Sequence, residues 1–363
     1  MLRWLPVAAT LIGLPVFGLA SGLVAENVSS AKPFGGPARL PSPADALVEE
    51  GSARLQAGDV EGALAIFERA QKAAPRDPRP LFLRASALAK KKDNDGAVKA
   101  FRASLAIDPA NAAVHNELGA VLKETRRIDE ATAEWQAATG LDPELAEAWY
   151  NLGQTELSVA HFAAAVEHLK KAAALLPKDA DVRIDLSLAL RKAGKRDEGL
   201  AAAREAVSLA TGSAPAHLNL ALALQAAGKL DDAAAELTAA TRLDANYSTA
   251  WWSLGIVERD RKKLDASVAA LEHALKLKPT PSVVADLATT LIAKNETARA
   301  ETLLRGAIEK SPRSLALRVE LVKVLAAGKK CGEASEALAP LPADAVKAAA
   351  EAMHKACPTA KKK

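Results

Sequence analysis

Ala146–Pro177 reads AEAWYNLGQTELSVAHFAAAVEHLKKAAALLP. It carries two amphipathic helical patterns, separated by a turn near Ala160–His161 and stopped by Pro177. Going back along the chain, prolines stand at Pro143, Pro109 and Pro75, each 34 residues from the next, and Pro279 lies three such intervals beyond Pro177. A fixed period of this length marks a stack of helix-turn-helix units, each burying its apolar face only against its neighbours.

Composition agrees with one extended array rather than several globular domains. The chain has 363 residues, half of them apolar but only 4% aromatic, so the core must come from Leu, Val and Ala at close helix–helix spacing. A net charge of +4, against 48 basic and 44 acidic residues, gives no electrostatic footprint for nucleic acid, and no nucleic-acid partner is expected.

The N-terminus is a different kind of segment. Met1-Leu-Arg precedes an almost unbroken apolar run, Trp4–Ala25, before Glu26 opens a polar stretch. One basic residue, an apolar region and small residues at Ala20 or Val24-Ala25 read as a secretory signal. The run is also long enough for a retained membrane anchor, attached through residues 2–25. Cleavage would leave a periplasmic or secreted protein; retention would leave one anchored and facing the periplasm. Residues 26–43, with Pro33, Pro37, Pro41, Pro43, Gly35 and Gly36, read as an unstructured tether.

With units aligned on the proline comb, the first seven begin at Ala44, Pro78, Ala112, Ala146, Ala180, Ala214 and Ser248. After one deleted residue, two more begin at Pro281 and Leu315. Position 8 is small in most units (Gly51, Ala85, Gly119, Gly153, Ser187, Ala221, Gly255, Ala288), as are position 20 (Ala63 to Ala334) and position 27 (Ala70 to Ala307). Position 24 is large: Phe67, Phe101, Trp135, Leu169, Leu237, Leu271 and Leu304. Small residues are expected where the two helices approach most closely, and the large ones beside them to fill the space.

Trp149, Leu152-Gly153, Ala165, Ala172 and Pro177, and again Trp251, Leu254-Gly255, Ala274 and Pro279, resemble the tetratricopeptide repeat (TPR) family pattern. The resemblance runs from Ala44 to about Leu341. It implies an all-α solenoid of about eight to nine units in a right-handed superhelix, with the array at 44–341. Units five and six end in Thr211 and Ala245 instead of proline; the following Gly212 and Asn246 can take the left-handed conformation that ends a helix, so these joints are expected still to turn, with less stiffness. After Pro340 and Pro342, residues 342–357 read as a C-terminal capping helix with Val346, Ala349, Ala350 and Met353 on one side and Lys347, Glu351 and Lys355 on the other. Residues 358–363 form a basic tail expected to be disordered. Cys331 and Cys357 are the only cysteines, and in an exported chain an even number favours a Cys331–Cys357 disulfide.

No phosphate loop, CxxC, HExxH or GxSxG motif is present, and the reading is non-enzymatic, with no catalytic residue, cofactor or metal. His115 and His217 occupy position 4, a packing position. His161 and His168, with Glu167, offer too few ligands to favour a metal.

The TPR resemblance implies that the first (A) helix of each unit lines a concave groove that holds a partner peptide or helix. On that reading the candidate residues are Phe82, Asn116, Tyr150, Asn151, Gln154, Ile184, Leu218, Asn219, Trp252 and Ser253. Apolar anchors would supply burial, and Asn151 and Asn219 would hydrogen-bond the partner's backbone. Trp251 is assigned to the core, which leaves Trp252 to face outward. A family subtype grips a C-terminal carboxylate with Lys at position 5 and Asn at position 9; neither occurs in any unit. The turns carry basic runs (Lys90–Lys92, Arg126-Arg127, Lys195-Arg196, Arg261–Lys263, Lys329-Lys330) that could attract an anionic lipid or polysaccharide. The acids that open the following helices, such as Asp129-Glu130 and Asp265, are expected to neutralise that edge. The function expected is a protein–protein interaction scaffold of the cell envelope, with envelope polysaccharide or lipid recognition as the alternative.

Overall fold

The computed structural model describes residues 42–357. The leader expected at 1–25, the tether at 26–43 except its last two residues, and the tail at 358–363 lie outside them. The described residues contain 19 α-helices and no strand. The chain divides into two compact units, Met1–Pro177 and Lys178–Lys363.

The first unit holds α1 (Asp45–Gln56), α2 (Val60–Ala73), α3 (Arg79–Lys90), α4 (Asn94–Ile107), α5 (Ala112–Glu124), α6 (Ile128–Leu141), α7 (Ala146–Ser158) and α8 (Phe162–Leu175). The second holds α9 (Ala180–Lys192), α10 (Arg196–Leu209), α11 (Ala214–Ala226), α12 (Leu230–Leu243), α13 (Ser248–Asp260), α14 (Leu264–Leu277), α15 (Pro281–Ala293), α16 (Thr297–Lys310), α17 (Leu315–Ala327), α18 (Cys331–Leu338) and α19 (Ala343–Ala356). Within each unit, helices pack as consecutive pairs, and each pair leans on the next. This is an all-α solenoid.

The residues expected to set the pair spacing do so. Phe67, Phe101, Trp135, Leu169, Leu237, Leu271 and Leu304 are essentially inaccessible, as are the alanines at positions 20 and 27 that flank them from Ala63 to Ala274. A Cβ added at Gly153 would come within 2.5 Å of Leu169 Cγ, one at Gly51 within 2.5 Å of Phe67 Cε1, and one at Gly119 within 2.6 Å of Trp135 Nε1. The glycine is thus the seat of the large residue opposite. Each such large side chain contributes roughly 1.5–3 kcal/mol by leaving water.

The turn inside each pair has one geometry. Position 15 has positive φ in all nine turns: Gly58, Gly194 and Gly228, but also Lys92, Arg126, Ala160, Lys262, Asn295 and Lys329. In the α3–α4 turn Lys92 N–H donates to Ala89 O at 2.9 Å and Asp93 N–H to Leu88 O at 2.9 Å, a Schellman arrangement that satisfies the last carbonyls of α3. Asp93 then caps α4 by accepting from Gly96 N–H at 3.0 Å.

The joints between pairs differ from expectation. Neither Gly212 nor Asn246 has positive φ. Each B helix instead ends on a non-helical residue with negative φ, Ala210 or Asp244, and the next turn closes through Ser213 N–H to Ala210 O (3.0 Å) or Tyr247 N–H to Asp244 O (3.1 Å). No left-handed residue is needed because a hydrogen bond across four residues already reverses the chain. These joints are also tied from the A helix. Trp251 Nε1 donates to Ala245 O at 2.9 Å, Trp149 Nε1 to Pro143 O at 2.9 Å, and Arg318 Nη2 to Pro312 O at 2.9 Å. His115 Nε2 and His217 Nε2 lie 3.2 and 3.0 Å from the corresponding carbonyls of Pro109 and Thr211. Position 4 is therefore a joint-sealing position, and its two histidines reach down to Glu134 and Glu236 of the following B helix, each at 2.6 Å. The Glu134 carboxylate holds the His115 imidazole above its ordinary pKa, with the Pro109 carbonyl assisting.

At the C-terminus α19 packs chiefly on α17, with Ala349 fully buried and Lys347, Glu351 and Lys355 exposed. Cys331 and Cys357 are joined by a disulfide with their Cα atoms 5.7 Å apart.

Candidate functional site

The A-helix residues separate into a buried layer and a polar ladder above it. Phe82, Asn116, Leu218, Asn219, Trp252 and Ser253 are buried, whereas Tyr150, Asn151, Gln154 and Ile184 remain partly exposed. Three of the expected apolar anchors, Phe82, Leu218 and Trp252, are thus covered within the chain, and Phe82 packs against Phe101 with ring centroids 5.8 Å apart.

Trp252 does not face outward. It is 9% exposed, and its Nε1 donates to Asp286 Oδ2 at 2.8 Å. Trp251 is the less buried of the two, stacked on His273 with centroids 4.2 Å apart. The assignment reverses because Asp286, on the next A helix, offers an acceptor that one repeat read alone does not contain. Trp149 sits on His168 in the same manner at 5.7 Å. Burial lowers the pKa of His168, and its Nδ1 has no hydrogen-bond partner.

The asparagines are also engaged within the chain. Asn151 Nδ2 donates to Asn116 Oδ1 at 3.1 Å, so this donor is already directed along the helix row rather than outward. Asn219 Oδ1 accepts from Arg191 Nη2 at 3.3 Å, while Asn219 Nδ2 is buried without a partner. These contacts are rungs of a ladder in each unit. Lys123 Nζ reaches Gln154 Oε1 at 3.4 Å in the first unit. In the second, Gln225 Nε2 reaches Asp260 Oδ2 at 3.4 Å and Arg259 Nη1 reaches Asp286 Oδ1 at 2.8 Å. Position 12 is the common origin of four rungs, from Lys123, Arg191, Gln225 and Arg259. Nothing in the residue types at position 12 singles it out in the sequence.

Two ladder groups are electrostatically unusual. Burial pushes the Glu117 carboxyl up to about 7; the Asn116 amide, 3.4 Å away, opposes the shift and the Glu147 charge adds to it. Burial pulls the Arg191 guanidinium down to about 10.

The basic turn edge is paired in part with acidic side chains. Lys91 pairs with Glu61 at 2.6 Å, Arg127 with Glu130 at 2.6 Å, Arg261 with Asp231 and Glu258 at 2.7 Å, Lys294 with Glu296 at 2.6 Å and Lys330 with Glu301 at 2.9 Å. Exposed pairs of this kind stabilise by at most about 1 kcal/mol each. Among the described residues no cluster of three His, Cys, Asp or Glu side chains could hold a metal ion. His161 pairs with Glu156 at 2.8 Å. Two open clefts, of about 260 Å³ at Ile128–His161 and about 360 Å³ at Glu272–Leu303, contain none of the candidate groove residues.

Stacked antiparallel helix pairs with a small-large seam, a fixed left-handed turn and a sealed joint define a helical-repeat solenoid. TPR family profiles match residues 42–112 and 218–280, and a second TPR profile matches 146–179. The chain is a tetratricopeptide repeat protein. Such repeats are a scaffold for protein–protein interaction, and the fold is generally non-enzymatic. Solved structures with the same fold include that described for Pseudomonas aeruginosa PilF, at 24% identity over 56% of this chain and 92% of that one, with a TM-score of 0.50. The C-terminal part of a TPR repeat-containing protein from Cytophaga hutchinsonii is 16% identical over 66% of this chain and 99% of that one, at TM-score 0.55. The Cut9–Hcn1 complex aligns at 17% identity over 77% of this chain and 55% of that one, at TM-score 0.54. No curated protein matches the chain.

Proposed function

We propose that the protein is a non-enzymatic scaffold of the cell envelope whose A-helix faces hold a peptide or helix of a partner protein. The observation that carries this reading is the polar ladder: within each unit it runs from one A helix to the next, flanked by the half-exposed Tyr150, Asn151, Gln154 and Ile184. A row of oriented amide and charged groups beside part-exposed apolar side chains suits the backbone and side chains of an extended segment. Envelope location is supported by the apolar run Trp4–Ala25 and by the Cys331–Cys357 disulfide, a bond that persists in oxidising compartments. No helix among the described residues is long and apolar enough to cross a membrane.

The test is affinity capture from envelope fractions with the wild type beside a Tyr150→Ala, Ile184→Ala double variant. A partner band lost in the variant is the expected result. Equal bands in both would remove the A-helix faces from consideration. Recovery of the mature protein from the cytosolic fraction, with residues 1–25 intact, would contradict the envelope assignment.

A further inference from the structure

The second unit contains the same ladder rung twice, two repeats apart, and the two copies differ in charge. In one, Arg259 on α13 reaches Asp286 on α15, whose second oxygen accepts from the Trp252 indole. In the other, Arg191 on α9 reaches the equivalent position on α11, where Asn219 stands in place of aspartate. Ile184, partly exposed, occupies the position of Trp252. The copy at Arg191 therefore has the cation but lacks both the carboxylate and the indole that engages it.

The consequences are visible in the hydrogen bonding. Arg191 Nε and Asn219 Nδ2 are buried donors without acceptors, and Arg191 makes one bond, a 3.3 Å contact to a neutral amide oxygen. The guanidinium stem lies along α10, where a Cβ on Gly199 would come within 2.8 Å of Arg191 Cγ, so the side chain is held in place from below. A buried charge is ordinarily paired, because removing it from water is costly unless a counter-charge recovers the lost hydration. Water can accept from Nε but cannot neutralise the charge. Both orphaned groups are donors, so the missing group is an acceptor, and the charge makes it an anion.

We infer that Arg191 receives an aspartate or glutamate side chain of the partner, which enters between α9 and α11 beside Asn219 and supplies the charge that Asp286 supplies to Arg259. The inference rests on the A-helix reading above and specifies the chemistry of what binds there. One carboxylate oxygen meets the Arg191 guanidinium and the other accepts from Asn219 Nδ2. Ile184 supplies an apolar wall in place of the indole. The recognised group is a side-chain carboxylate within a segment, since the lysine and asparagine pattern for a chain terminus is absent from every unit.

The experiment selects binders from a displayed library of random short peptides using the full chain, then measures their affinities for three proteins: wild type, Arg191→Gln and Asn219→Asp. Wild type is expected to select peptides with an acidic residue at one fixed position. Replacing that residue by its amide weakens binding about 30-fold, and the same change causes no further loss on Arg191→Gln. Asn219→Asp supplies the carboxylate internally, so it raises Tm while abolishing the acidic preference. That variant keeps the result interpretable if Arg191→Gln folds poorly. Peptides that bind the wild type with no acidic position, or that keep their acidic preference on Asn219→Asp, overturn the inference and leave the A-helix reading standing. Binding unaffected by Tyr150→Ala, Ile184→Ala and Arg191→Gln alike overturns both.

Discussion

Gly153→Ala isolates the close approach on which the helix pairing depends. Its added methyl would sit 2.5 Å from Leu169 Cγ, 2.7 Å from Leu169 Cδ2 and 3.3 Å from the Leu169 backbone nitrogen. Leu169 is fully buried, so its side chain has no open direction, and the backbone contact prevents relief by a rotamer change alone. Two effects oppose each other. Replacing glycine by alanine inside a helix stabilises by about 1 kcal/mol, while forcing a methyl into a packed seam costs about 1–3 kcal/mol. Because a backbone atom is involved, the upper part of that range applies, and a net loss of about 1–2 kcal/mol is expected. Gly140→Ala is the control, since nothing lies within 4 Å of a Cβ there; it should stabilise by about 0.5–1 kcal/mol. Urea unfolding followed by circular dichroism measures both. If Gly153→Ala stabilises the protein as much as Gly140→Ala does, the seam is not sized by this glycine and the packing argument fails.

Ala160 holds a left-handed φ of 62° without being glycine, a conformation that costs an L-residue roughly 1–2 kcal/mol. Ala160→Gly should therefore stabilise by about 0.5–1 kcal/mol in the same assay, and Gly194→Ala should destabilise by a similar amount. Glu117, raised to about 7 from 4.5, retains in the folded state a proton that the unfolded chain has released. Its contribution to stability therefore falls as pH rises from about 4.5 to about 7 and is level above that. Glu117→Gln should remove this slope and stabilise the protein at pH 8 by up to about 3 kcal/mol, as read from urea midpoints at acid and alkaline pH. The disulfide spans a sequence separation of 26, and its loss should cost about 3 kcal/mol, seen as early hydrogen exchange in α19 of the Cys357→Ser variant. An unreduced intact mass equal to the reduced mass would contradict the bond itself.

The repeat period carried the fold because the seam is local: Gly153 and Leu169 belong to one unit, so one unit's sequence contains the whole contact. The left-handed turns were hidden because Lys92, Arg126 and Ala160 stand where glycine would have signalled the conformation. The candidate site was less legible for the opposite reason. Each rung joins consecutive repeats, so the neighbouring Trp251 does not show that the burial of Trp252 depends on Asp286. For Asn151 and Asn219, whether the amide is free depends on position 5 or 12 of the preceding repeat. Arg191 is inconspicuous in the sequence, since an arginine in the last turn of a helix is ordinary; only burial without a counter-charge makes it exceptional.

The central claim is that partners bind on the A-helix faces, and the rival surface is the row of exposed leucines ending the B helices, such as Leu209 and Leu243. A photo-reactive amino acid placed singly at Ile184, Gln154, Leu209 or Leu243, and activated in living cells, maps the contact directly. The account predicts cross-links to one partner protein from Ile184 and Gln154 and none from Leu209 or Leu243. Cross-links from the leucine positions alone would place the partner on the B helices and contradict it.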